Sequence, residues 1–172
     1  LPGIALASEK EEPDIMQRPP VKAGESLFAR GIGKHIIWVS LLMAGITLGT
    51  QAWALYQHMD HWQTMVFTVL AFSQLGHVLA IRSERTFLYR QGIFTNPLLI
   101  IAVLITIILQ SIIIYTPIGN ELFNTKPLTI DELLICIGLS AVVFHAVELE
   151  KLIKHLREYR KSDTKNSYHK NN

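Results

Sequence analysis

The sequence predicts an all-α membrane protein, with four transmembrane helices in a bundle, and three observations carry that expectation. The chain has 172 residues and is 49% hydrophobic but only 17% charged, where an ordinary soluble domain carries about 25% charge. The missing charge is concentrated, because residues 35–59, 61–81, 91–120 and 133–147 hold no Asp, Glu, Lys or Arg. Crossing the apolar core of a bilayer takes about 20 residues of helix; three of these stretches reach that length and the fourth approaches it. The apolar residues also run without alternation, whereas a barrel would need many alternating segments of about ten residues. A lone hydrophobic strand in lipid would leave its backbone unpaired. The composition excludes a soluble globular domain, a disordered chain and a nucleic-acid binder. A secretory leader before a soluble body is excluded too, since apolar segments recur as far as residue 147.

The elements follow in order. Residues 1–34 are polar and Pro-rich, with Pro2, Pro13, Pro19 and Pro20 around the acidic cluster Glu9, Glu11, Glu12 and Asp14, and are expected to form a cytosolic loop. The transmembrane domain is expected over 35–150. Its first span, 35–56, is about 33 Å long at 1.5 Å per residue. The short link Gln57–His61 leads to a second span over 62–81. A basic loop reaches Asn96, and Pro97 suits the first turn of a helix. The third span is expected at 98–115, the loop Thr116–Thr129 follows, and the fourth span is expected at 130–149. Residues 151–172 form a polar, basic tail, with the helix expected to continue out of the lipid through about Leu156.

Orientation follows from the cations. Fifteen of the sixteen Lys and Arg residues fall before span one, between spans two and three, or after span four, and only Lys126 lies on the other side. Cytoplasmic loops carry the excess of Lys and Arg. The expected localisation is therefore a multi-pass protein of the cell membrane with both termini cytoplasmic. Trp53, Tyr56 and Trp62 bracket the first outer link, as interfacial aromatics do.

Several runs resemble P-type cation-transporting ATPases. LPGIALA at 1–7 followed by EPDIMQRPP at 12–20 is similar to the end of the sixth membrane helix and the "PDxMxRPPR" loop of that family. ESLF at 25–28 looks like the segment before the seventh helix, and TMVFTVLAFSQL at 64–75 with RSE at 82–84 resembles the eighth. VELEK at 147–151 looks like the end of the tenth. Val21 departs from the pattern, where the family often has Arg. The resemblance implies the seventh to tenth helices of a calcium-type pump, a membrane scaffold for ATP-driven cation transport. The implied partners are the lipid bilayer, the transported cation, and the remaining membrane helices and cytosolic domains of the same pump. The phosphorylation motif DKTGT, the TGES loop and GDGxNDxP do not occur in the sequence. ATP and Mg2+ are thus expected to serve the full-length pump, with no cofactor in this chain and no activity from it alone. The lack of an initial Met agrees with a fragment. The alternative is a free-standing four-helix membrane protein with an interaction or regulatory role.

The resemblance places Gln74 where two-site calcium pumps have a cation-binding Glu in the eighth helix. An amide oxygen can ligate a hard cation but brings no charge; the alternative role is an interhelical hydrogen bond, worth about 0.6 kcal/mol. His77 lies three residues on and shares that face. It is expected to pack against a neighbouring helix with a hydrogen bond, since no Cys or second His on the span completes a metal site. Gly45 and Gly49 form a GxxxG widened by Ala44 and Ala52, a surface for close helix packing. His58 and His61 flank Asp60, but a zinc site needs four ligands in geometry. Thr106 and Gln110 share a face of a span otherwise rich in Ile and Leu, which suggests broad lipid contact. Glu148 and Glu150, beside Lys151 and Lys154, read as solvated interfacial pairs. A single Cys136 forms no internal disulfide.

Overall fold

The computed structural model describes residues 2–8, 32–82 and 95–170, with side chains to residue 156. The runs at 12–20 and 25–28 and the cations Lys10, Arg18, Lys22, Arg30, Arg85 and Arg90 lie outside the described residues.

A short helix α1, Pro2–Ala5, runs into a 3-10 turn at Leu6–Ser8. Then come α2 (Ile32–Tyr56), α3 (Trp62–Ala80), α4 (Pro97–Tyr115), α5 (Pro117–Phe123) and α6 (Ile130–Lys170). Among the described residues, four helices are long and apolar enough to cross a membrane: α2, α3, α4 and the Ile130–Leu156 part of α6. Helix is the economical state for such runs because lipid offers no partner to a free N–H or C=O.

The ends of the helices are set by local chemistry. α2 begins at Ile32, three residues before the expected start, and so includes Lys34; a long cationic side chain near a helix end can reach polar surroundings. α4 has Pro97 in its first turn, and Asn96 caps it by accepting from the Leu99 N–H at 3.0 Å. α5 falls where the sequence predicts a loop. Thr116 accepts from the Gly119 N–H at 3.1 Å and Pro117 occupies the first helical position, so a start signal is present. Asn124, at φ 51°, ends the helix in the left-handed region. α6 opens with a capping box: the Thr129 N–H donates to Glu132 Oε2 at 2.8 Å, and the Glu132 N–H to Thr129 Oγ1 at 3.3 Å. Its 41 residues make it about 60 Å long, roughly twice the apolar thickness of a bilayer. The helix therefore continues past the lipid to Lys170, well beyond the stretch the sequence suggests.

α3 is the central helix, packed against α2, α4 and α6. At the end that carries the 57–61 and 116–129 links, Ala54, Met65, Val69, Ile114, Leu128 and Cys136 form one core. Val39, Ala80 and Val147 form another at the opposite end. α1 is held to α4 through Ala5, Leu99 and Ala102. The α3–α6 contact is close because Gly76 faces Phe144, where an added Cβ would sit 3.4 Å from the Phe144 Cβ. Beside it, Ser140 Oγ donates to the Cys136 carbonyl of its own helix at 2.7 Å and reaches the Val69 carbonyl at 3.1 Å, while the Cys136 thiol donates to that of Met65 at 3.7 Å. Gln110 Nε2 donates to Thr68 Oγ1 at 3.4 Å, tying α4 to α3.

The turn from α4 into α5 depends on Gly119. A Cβ there would lie 2.7 Å from the Ile112 oxygen and from the Ile113 Cα and oxygen, all backbone atoms with no freedom to yield. Gly119→Ala is expected to cost about 1–3 kcal/mol by overpacking. Thermal unfolding in detergent, followed by circular dichroism, tests this against Gly138→Ala, whose Cβ meets nothing within 4 Å. Equal midpoints for the two variants would refute the close approach.

Candidate functional site

Two places bring polar side chains together within the apolar helices. The first lies at the end of the bundle opposite the links. His35 and Trp38 stand three residues apart on α2 and so share a face. Across from them α6 presents Glu150. Its Oε2 accepts from Trp38 Nε1 at 2.6 Å and lies 2.6 Å from His35 Nδ1, while its Oε1 is 2.6 Å from Lys154 Nζ. Glu148 forms a separate pair with Lys151 at 2.8 Å. The Glu150 side chain is 19% exposed against 55% for Lys154. The Glu150–Lys154 pair expected from the sequence is present, with Lys154 exposed, and the half-enclosed carboxylate also ties α2 to α6, which the sequence does not suggest.

His77 reaches the same place from α3. Its ring stacks on His35, with centroids 5.6 Å apart and an interplanar angle of 21°. The sequence suggests a hydrogen bond to a neighbouring helix, yet His77 Nδ1 is buried without a hydrogen-bond partner among the described residues. The contact is made by the ring face.

The second place is a groove between α2 and α3, with a cavity volume of about 670 Å³. Ser40, Met43, Thr47, Leu70, Gln74 and His77 are among its lining. Gln74 is exposed, turned along this groove rather than into the bundle. Its polar neighbours are hydroxyls and an imidazole, and no carboxylate lines the groove among the described residues. A hard divalent cation takes six or more oxygens and is drawn by carboxylates. The described lining of the groove could therefore contribute an oxygen or two to a cation site but could not build one. No group of three or more His, Cys, Asp or Glu converges among the described residues.

The other candidates are scattered. A Cβ at Gly45 or Gly49 would meet nothing within 4 Å, so the GxxxG face of α2 touches none of the described helices. His58 adopts φ 54° in the link, while His61 Nδ1 lies 3.2 Å from Glu132 Oε1 and joins the starts of α3 and α6. Thr106 Oγ1 donates to the Ala102 carbonyl of its own helix at 2.8 Å, whereas Gln110 is buried against α3. Sequence reasoning missed three features: the His35–Trp38–Glu150 tie, the Gly76 approach and the Thr129–Glu132 box. Only the last has a local signature, threonine three residues before glutamate at the head of an apolar run.

Four membrane-length helices with both polar clusters turned to the bundle's edges define part of a multi-pass membrane protein. The family model for the C-terminus of cation transporting ATPases matches residues 1–153, and the chain belongs to that family. Calcium-transporting ATPase 1 of Bacillus cereus is 32% identical over 171 residues, which cover 90% of this chain and 19% of that protein. The calcium-transporting ATPase of Bacillus subtilis is 33% identical over 83% of this chain and 16% of its own length. A mouse calcium-transporting ATPase, type 2C member 2, is 27% identical over 88% of the chain and 16% of its own length. The chain thus spans less than a fifth of the relatives it matches.

The tie at Glu150 generates a stability test. Glu150→Ala removes the acceptor of the Trp38 N–H and the partner of His35, and is expected to cost about 1–3 kcal/mol. Lys154→Ala removes an exposed i,i+4 partner and should cost no more than about 0.5 kcal/mol. Unfolding midpoints measured in one detergent rank the two, and a Lys154 variant as damaged as the Glu150 variant would remove the α2–α6 tie from the account.

Proposed function

We propose that this chain is the C-terminal membrane scaffold of an ATP-driven cation pump of the calcium-transporting kind. The observation that carries the reading is the family match over residues 1–153, on a chain that places four membrane-length helices in that interval. The names of the relatives supply the ion and the energy source. In this reading ATP and Mg2+ are handled by cytosolic domains that bear the phosphorylation motifs, and the four helices hold the translocating helices in place. Gly45 and Gly49 give α2 a flat face for one of those helices, because small residues permit close approach. His77 fastens α3 to α2 by its stack on His35. Gln74 lends its amide oxygen beside the cation route, from a groove that opens at the edge of the bundle.

The test is made on the pump that contains this chain. Calcium is expected to stimulate its ATPase activity, and the 172-residue chain by itself is expected to have none. Gln74→Ala should shift half-saturating calcium by less than about tenfold, the loss of one neutral oxygen among several ligands. A pump indifferent to calcium would sink the assignment, and a shift beyond about a hundredfold in the variant would make Gln74 a principal ligand.

Both termini are proposed to be cytosolic, on the distribution of fifteen of the sixteen Lys and Arg residues. Lys126→Cys and Ser162→Cys report the two sides. In intact cells a membrane-impermeant thiol reagent should label position 126 and spare 162; labelling of 162 alone inverts the topology.

A further inference from the structure

α5 is out of keeping with an ordinary turn between two spans. α4 has 19 residues and so is about 28 Å long, close to the thickness of a bilayer's apolar core, about 30 Å. Tyr115 therefore stands at the membrane boundary, and α5 begins two residues later. It cannot swing away from that level. Thr116 Oγ1 donates to the Ile112 carbonyl at 2.7 Å while it caps α5. Gly119 rests on the Ile113 backbone, and Thr125 Oγ1 donates to the Ile113 carbonyl at 2.8 Å from the far side of the loop.

Held there, α5 presents large aliphatic groups outward. Ile118 is 79% exposed and Leu122 is 75% exposed. They stand four residues apart and so share a face. Ile108, Ile112 and Tyr115, all exposed, lead up to them along α4. The size of these residues identifies what covers them. Helices that pack on one another in membranes meet through small residues, as α3 meets α6 at Gly76. The outward side of α4 and α5 exposes Ile and Leu instead, on the most apolar span of the four.

We propose that α5 is an in-plane membrane anchor, with Ile118 and Leu122 seated among the acyl chains just beneath the headgroups, continuous with the lipid-facing side of α4. An interfacial helix sinks its apolar face about 5–10 Å into this boundary. Lipid is the occupant, and the proposal rests on the membrane placement of α4 without reference to the pump assignment. In the chain, α5 fixes the depth of the α4 end, so that α4 cannot slide along the membrane normal without dragging two aliphatic side chains into water.

The full chain in phosphatidylcholine vesicles tests this, with a nitroxide attached at Leu122→Cys or at Lys126→Cys. Cys136 is fully buried and stays in place, and mass measurement confirms a single label. Collision with oxygen, which concentrates in lipid, is compared with collision with a water-soluble nickel chelate. At 122 the oxygen-to-nickel ratio is expected to be several-fold higher than at 126. A label at 122 that meets nickel as freely as the one at 126 would place α5 in water and overturn the anchor. A label at 122 shielded from both colliders would show a protein cover, a second copy or another segment, and would overturn it equally. Ile118→Cys repeats the measurement one turn earlier, so a Leu122 variant that fails to fold does not decide the outcome.

Discussion

Lipid tails are as apolar as leucine, so the surface that lets these helices enter a membrane gives them no reason to associate there. What remains is close packing and hydrogen bonding, and both converge on the α3–α6 seam. Gly76 lets the two backbones approach at Phe144. That approach brings Ser140 and Cys136 within reach of the Val69 and Met65 carbonyls, one turn of α3 apart. Those carbonyls already serve the helix's own ladder, and a carbonyl oxygen has a second lone pair to offer. The Cys136 thiol therefore adds a bond across the seam without breaking one, and the Ser140 proton is shared between the Val69 carbonyl and that of Cys136 in its own helix. α2 and α4 then pack onto a pair whose spacing is already fixed.

The remaining polar contacts are distributed toward the two ends. At the link end, His61 meets Glu132, the Lys126 N–H donates to Thr64 Oγ1 at 2.8 Å, and Gln110 reaches Thr68. At the other end, Glu150 gathers His35 and Trp38. Between them the α2–α3 groove is open, with Gln74 exposed in it and Thr47 Oγ1 buried without a hydrogen-bond partner among the described residues. A frame clamped at both ends and open along one side suits a scaffold that receives further helices, as the proposed function requires.

The helices were legible because of the same solvent. In lipid, a long run without charge has one way to satisfy its backbone, so charge-free stretches translate into helices almost directly. The ends were less legible where the deciding groups are short-range. The start signal of α5 is Thr116 and Pro117, and seven residues show no periodicity to read. Glu150 was half legible: Lys154 lies four residues away, but His35 and Trp38 are 115 and 112 residues distant in sequence. Gln74, Gly45 and Gly49 stood out by resemblance and spacing; Gln74 lines the α2–α3 groove, while a Cβ at either glycine meets nothing within 4 Å among the described residues.

Polarity on the exposed faces gives the bundle two different sides. α2 turns Gly45 and Gly49 outward among Ile37, Leu41 and Leu48, and its groove with α3 carries hydroxyl, amide and imidazole groups. Such a groove is a poor neighbour for lipid, because Thr47 Oγ1 and His77 Nδ1 have no hydrogen-bond partner among the described residues, and a good one for another helix. α4 turns Ile101, Leu104, Ile105 and Ile108 outward, which lipid solvates well and which would hold a helix at a distance. A pump built on this scaffold would therefore place its translocating helices against α2 and α3, with α4 at the lipid boundary. Under that proposal Gln74 would lie on the side of the translocating helices, a placement that the open groove supports alongside its resemblance to a ligand position.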